Sequence, residues 1–175
     1  LSLTQAHKDW VRPGIMLYGV SPIEATSAID FGLIPVMTLK SSVIAIREIK
    51  QGETVGYGAT WVAEKDTKLA VIAIGYGDGY PRNAKNGTPV MIEKCTYYLA
   101  GRVSMDMISV EIGTNSDVNV GDEVVLWGEG LPIEGVAEQA DTVPYELLCG
   151  VTGRVEKQFL QGPHEVTDQP RKATT

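Results

Sequence analysis

The chain has 175 residues, 43% of them hydrophobic, with 15 Lys and Arg against 22 Asp and Glu; this describes a folded globular protein of about one domain, able to build a core without disulfide staples. Its net charge of −7 excludes a nucleic-acid backbone as the main partner, because that affinity needs clustered Lys and Arg to displace counterions. No apolar run reaches the roughly 18 residues of a membrane span, and Cys95 and Cys149, without CxxC or Cys/His spacing, support neither a disulfide scaffold nor a zinc centre, only reduced thiols of a cytoplasmic protein.

The chain opens on Leu1, which predicts a processed, trimmed or partial sequence. Val11-Arg12-Pro13-Gly14-Ile15-Met16-Leu17-Tyr18-Gly19 joins a Pro-Gly turn to an apolar run. The plain reading is a type II turn, with Pro13 at its second position, Gly14 at its third and Arg12 in solvent. The functional reading aims the N–H groups of Gly14 and Ile15 at an anion, since glycine lets the backbone approach a phosphate closely. Ser21–Gly32 then serves as a connector.

Glycine is abundant, 19 of 175 residues, and it punctuates short runs rich in Val, Ile, Thr and Tyr, which predicts a mainly β domain. Val36–Lys50, Leu69–Tyr76, Pro89–Ile92, Leu99–Ile112 and Glu123–Gly128 read as strands of a barrel or sandwich built from hairpins.

Two tyrosines lie between glycines, Tyr57 in Val55-Gly56-Tyr57-Gly58 and Tyr76 in Gly75-Tyr76-Gly77-Asp78-Gly79-Tyr80-Pro81-Arg82. Hairpin turns with Tyr packed over glycine explain them plainly. The alternative is a phenol with no neighbouring side chain in its way, able to reach a reacting carbon. With an ordinary pKa of about 10 such a phenol is a poor base near neutrality, and it needs a cation or strong donors beside it. Neither segment is a GxGxxG fingerprint or a phosphate loop ending in GK[ST].

In Gly101-Arg102-Val103-Ser104-Met105-Asp106-Met107 the strand pattern puts Arg102, Ser104 and Asp106 on one face, at its plainest an exposed row of ion pairs. Asp78 with Asp106 suggests a cation, although two carboxylates fall short of a calcium loop. Ile133, Val136, Ala137 and Ala140 recur at helical spacing after Pro132. A second helix is predicted from Pro144 toward Phe159, with Tyr145, Leu148, Cys149 and Thr152 along one side. His7 and His164 read as surface residues, and the tail 162–175 as disordered. Between Val103 and Gly153 there is no Lys or Arg but ten acids, so this third carries −10 and the remainder +3. An anion would therefore find its contacts outside it.

RPGIMLYG, VGYGATW, GYGDGYPR, GRVSMDM, GDEVVLWGEG and PYEL, in this order, resemble the C-terminal half of alanine racemases, bacterial enzymes dependent on pyridoxal phosphate. The likeness runs from about Arg12 to Val155. It implies a Greek-key or barrel-like β domain with two C-terminal helices over 33–161, preceded in 1–32 by the last strand and helix of a (β/α)8 barrel and a connector. It also implies interconversion of L- and D-alanine by two bases, which supplies D-alanine for peptidoglycan. The family's lysine segment, of the form KANAYGHG, has no counterpart here, and Lys85 in Arg82-Asn83-Ala84-Lys85-Asn86-Gly87 is not it. The chain alone is thus expected to be inactive and to hold no covalently bound cofactor.

By the same resemblance Arg12 would hydrogen-bond the cofactor's pyridine nitrogen, with the N–H groups of Gly14 and Ile15 holding its phosphate, which Tyr145 would also touch. Tyr57 would be the base toward L-alanine, reaching the active site of the partner subunit in a head-to-tail homodimer. Tyr76 and Tyr145 would line the substrate entrance, and Met105 would offer its backbone N–H to the substrate carboxylate. Arg82, Arg102 and Asp106 would form the polar corridor outside. The partners implied are alanine, an N-terminal barrel domain and a second subunit. Two other readings stay open: a related pyridoxal-phosphate racemase or amino-acid decarboxylase, and a β module that dimerises without catalysis. Tyr98, where the family often has proline shortly before the GRV segment, affects only the local loop.

Overall fold

A computed structural model describes residues 5, 9–23 and 26–160; the predicted disordered tail, His7 and His164 lie outside the described residues. Six strands close a barrel: β1 (Leu39–Ile49), β4 (Thr67–Ile72), β5 (Pro89–Ile92), β6 (Cys95–Leu99), β7 (Ile108–Glu111) and β8 (Glu123–Trp127). Their order around it is β1-β4-β7-β6-β5-β8, and every pairing is antiparallel. Closure leaves this sheet without a free edge. Between β1 and β4 a two-stranded hairpin stands apart, β2 (Thr54–Val55) with β3 (Trp61–Val62).

Strand β1 runs for 11 residues. Its first half pairs with β8 and its second half with β4, and an irregularity between Val43 and Ala45 accompanies the change of neighbour. Such a bulge bends a strand and increases its twist, as closing a small barrel requires. The interior is filled by alternating positions on the strands, among them Val43, Ile72, Val90, Ile92, Ile108, Val110 and Val124, all at most 1% exposed. Trp127 and Tyr80 stack with ring centroids 6.1 Å apart.

Helix α1 (Ile133–Gln139) buries Ile133, Val136 and Ala137, with Ala140 at its end, as the helical spacing predicted. Helix α2 (Pro144–Gly150) begins at the predicted proline but stops nine residues short of Phe159. The reason is tertiary. Just past its end, the Thr152 N–H donates to the Asp78 carbonyl at 3.0 Å and the Thr152 hydroxyl to the Gly77 carbonyl at 2.9 Å, drawing the chain into an extended path. Phe159 is consequently 91% exposed.

Two other local expectations change. Leu99–Ile112 is not one strand: Gly101 takes φ +87, and 102–107 forms a loop closed by reciprocal bonds between Ser104 and Met107. Arg102, Ser104 and Asp106 therefore do not form a row on a strand face. Pro13, at φ −70 and ψ −18, lies in the right-handed helical region, so Arg12-Pro13-Gly14 opens a 3₁₀ turn (Gly14–Tyr18) rather than a type II turn. Before β1 the described residues contain that turn and a second one, Ala28–Phe31. Among the described residues no helix is long and apolar enough to cross a membrane.

Candidate active site

Tyr57 sits at the tip of the β2–β3 hairpin, in a 3₁₀ turn spanning Tyr57–Ala59, and is 74% exposed. Its position is set by backbone contacts that only glycine permits. Gly56 has φ +78, and a Cβ there would lie 2.9 Å from the Arg102 nitrogen; Gly101 has φ +87, and a Cβ there would lie 2.8 Å from the Val55 carbonyl oxygen. The hairpin is thus pressed main chain to main chain against the Gly101-Arg102 peptide. Asn86 fastens the same junction: its Nδ2 donates to the Thr60 carbonyl at 2.8 Å, and its Oδ1 accepts the Gly101 N–H at 2.8 Å. Beneath the hairpin Val55 and Trp61 pack on a small cluster of Ile49, Ala63, Leu69 and Ala100.

Tyr76 occupies a second 3₁₀ turn, Tyr76–Asp78, that leans on the 102–107 loop. The Tyr76 N–H donates to the Ser104 carbonyl at 3.0 Å and the Gly77 N–H to the Met105 carbonyl at 2.9 Å. Any side chain at Gly75 would meet the Ser104 and Met105 carbonyl oxygens, both 2.4 Å from the position of its Cβ. The peptide joining Ser104 to Met105 is trans, so a carbonyl held toward Tyr76 sends the Met105 N–H the opposite way. That N–H donates to no acceptor among the described residues.

Tyr57, Tyr76, Arg82, Arg102 and Met105 line one open cleft of about 890 Å³, together with Thr60, Lys85 and Asn86 among others. The Arg82 guanidinium carbon lies 5.8 Å from the centre of the Tyr76 ring, within cation–π reach. Arg102 reaches over Gly58, where its guanidinium carbon is 3.9 Å from the position a Cβ would take. Neither arginine forms an ion pair among the described residues. The cleft therefore offers two phenols, two unpaired guanidinium groups and an uncommitted amide, a set that suits a small carboxylate.

Asp106 is not among the residues lining that cleft. It accepts a hydrogen bond from Arg154 Nη2 at 2.7 Å, while Arg154 Nε lies 3.2 Å from Asp78 Oδ1. The hydrogen bond to Asp106 and, after it, the charge of Asp78 raise the pKa of Arg154 above its ordinary value. The two carboxylates singled out in the sequence do converge on a cation, and it is this guanidinium. Among the described residues no cluster of three metal-ligating side chains occurs. Arg154 and Asn86 carry no local motif that would have marked them; the pairing of Asp78 with Asp106 was the available hint to the former.

Arg12, Gly14, Ile15 and Tyr145 are not among the residues lining that cleft. Ile15 is buried and anchors the 3₁₀ turn, whereas Arg12 is exposed. Gly14 has φ +60, and a Cβ there would sit 3.5 Å from the Tyr145 hydroxyl. The N–H groups of Gly14 and Ile15 donate to no acceptor among the described residues. Two successive free amides beside a hydroxyl make a cradle fit for a phosphate.

The model of the family "Alanine racemase, C-terminal domain" matches residues 36–159. An alanine racemase of Yersinia pestis is 59% identical over 156 residues, which are 89% of this chain and 44% of that protein. The chain thus spans less than half the length of this curated relative. Among solved structures, a biosynthetic alanine racemase from Pseudomonas aeruginosa aligns with a TM-score of 0.88 at 48% identity, covering 92% of this chain and 45% of that one. An alanine racemase from Bartonella henselae, described with covalently bound pyridoxal phosphate, aligns with a TM-score of 0.75 at 33% identity, covering 85% of this chain and 41% of that one.

Proposed function

Because the chain belongs to the alanine racemase family, whose C-terminal domain it carries, we propose that the protein interconverts L- and D-alanine with pyridoxal phosphate, Tyr57 acting as one of two bases. The observation that carries this reading is the cleft. It brings Tyr57, Tyr76, Arg82, Arg102 and Met105 from three separate loops to one cavity, although nothing but order along the chain links them in the sequence.

When bound, pyridoxal phosphate supplies the electron withdrawal that acidifies the substrate's α-hydrogen. The free amides of Gly14 and Ile15, with the Tyr145 hydroxyl beside them, fit its phosphate. Arg12 would donate to the pyridine nitrogen. A guanidinium keeps its protons, so Arg12 would leave that nitrogen unprotonated and moderate the electron withdrawal the group supplies. Moderate withdrawal would favour two bases on opposite faces of the α-carbon, one taking the proton while the other gives it.

Tyr57 would move the proton at the α-carbon on the L side. Its exposure at a hairpin tip suits a residue offered outward, and we place it in the partner subunit's site within a head-to-tail homodimer. The Met105 N–H would bind the substrate carboxylate, and Tyr76 of one subunit with Tyr145 of the other would frame the entrance. Arg82 and Arg102 would attract the carboxylate of the zwitterionic amino acid, in a corridor bordered by Asp106. The second base, a lysine, and the rest of the cofactor site would come from an N-terminal barrel domain for which residues 1–32 supply the final portion and connector. The exposed, unpaired Cys95 and Cys149 suit a reducing, cytoplasmic setting.

A substrate panel on a full-length family member carrying these residues tests the assignment. Alanine is expected to turn over far faster than bulkier or charged amino acids, and equal turnover of lysine or ornithine would contradict it.

A further inference from the structure

We infer that Arg154 is a positioning residue for the substrate carboxylate site: by holding Asp78 and Asp106 together it fixes the Met105 amide relative to Tyr76. This rests on the proposed reaction. Asp78 belongs to the Tyr76 turn, and its Oδ2 accepts the Gly75 N–H at 2.9 Å, closing that turn on itself. Asp106 follows Met105 directly and belongs to the opposing loop. Between the two segments run main-chain bonds from Tyr76 to Ser104 and from Gly77 to Met105. Arg154 adds a bracket outside them, Nε toward Asp78 at 3.2 Å and Nη2 to Asp106 at 2.7 Å.

The guanidinium is itself placed. Its Nη1 lies 2.2 Å from where a Cβ on Gly77 would be, so glycine at that position gives it room to lie along the turn. Thr152, two residues earlier, donates to the Gly77 carbonyl and, through its N–H, to the Asp78 carbonyl. The segment after α2 is thus stitched to the Tyr76 turn by Thr152 and reaches across it with Arg154. Nε and Nη2 lie along one edge of the planar guanidinium, so a single side chain faces Asp78 and Asp106 at once, a geometry an ammonium lacks.

The Met105 N–H would meet a carboxylate that is present in the ground state and the transition state alike. Its misplacement should therefore appear mainly in KM. In the full-length racemase, Arg154→Ala is expected to raise KM for both alanine enantiomers by about fivefold to tenfold while kcat stays within about twofold. Arg154→Lys should restore little, since it reaches one carboxylate at a time. Asp106→Asn should raise KM in the same manner, and combining it with Arg154→Ala should add almost nothing. Should Arg154→Ala fail to fold, Asp106→Asn, which leaves Arg154 its contact with Asp78, decides the matter through the same KM. An unchanged KM in the folded variants, or a fall in kcat at constant KM, overturns the inference. If the unmodified enzyme does not racemise alanine, the proposed function fails instead.

Discussion

The amide of Tyr76 donates to the carbonyl of Ser104 at 3.0 Å, and through the trans peptide that follows, this bond also turns the Met105 N–H away from Tyr76. One hydrogen bond thereby relates a phenol on one loop to an uncommitted donor on another. Gly75 allows the approach, because a Cβ there would fall 2.4 Å from two carbonyl oxygens.

Gly75→Ala should accordingly cost about 1–3 kcal/mol, the usual scale of overpacking, because rigid backbone stands where the methyl would go. Gly135→Ala, inside α1 with nothing within 4 Å of the added Cβ, should instead stabilise by about 0.5–1 kcal/mol. Urea unfolding of the two variants should show midpoints moving in opposite directions. A shift in the same direction for both would mean the loop yields more easily than its contacts indicate.

The Tyr80 hydroxyl is fully buried without a protein hydrogen-bond partner among the described residues, and burial pushes its pKa upward. Tyr80→Phe keeps the stack on Trp127 and removes a desolvated polar group, so stability should hold or rise by up to about 1 kcal/mol. Thermal unfolding checks this, and a loss of more than about 1 kcal/mol would show that the hydroxyl is satisfied.

Asn86 bonds both Thr60 and Gly101, holding the Tyr57 hairpin to the loop that carries Arg102. Asn86→Ala should lower stability by about 1–2 kcal/mol and reduce kcat of the full-length enzyme, because Tyr57 loses its fixed approach. Asn86→Asp keeps the acceptor for the Gly101 N–H and should fall between. Equal kcat in all three would detach the hairpin's anchoring from catalysis.

The barrel strands and α1 were legible because alternation and helical spacing report directly on which face is buried. Tyr57 and Tyr76 stood out because glycine on both sides of a large aromatic ring is uneconomical inside a strand. The 102–107 loop was not legible, since Val103 and Met105 alternate with polar residues as a strand would while Gly101 and Ser104 break the ladder. Nor was Arg154, which meets Asp106 across 48 residues of sequence. The early end of α2 has the same origin, in contacts of Thr152 with a turn far away in the chain.

The described chain supplies no counterpart of the family's lysine segment, so these 175 residues mixed with pyridoxal phosphate should racemise neither enantiomer of alanine. Polarimetry over hours checks this, and measurable turnover would require a second base among the lysines present.

The role of Tyr57 is tested most directly by hydrogen exchange at the α-carbon. In the full-length enzyme Tyr57→Phe should nearly abolish racemisation and stop solvent deuterium from entering L-alanine, while D-alanine, served by the other base, still exchanges. Continued exchange into L-alanine at the unmodified rate would contradict the assignment of Tyr57 as the base on that face.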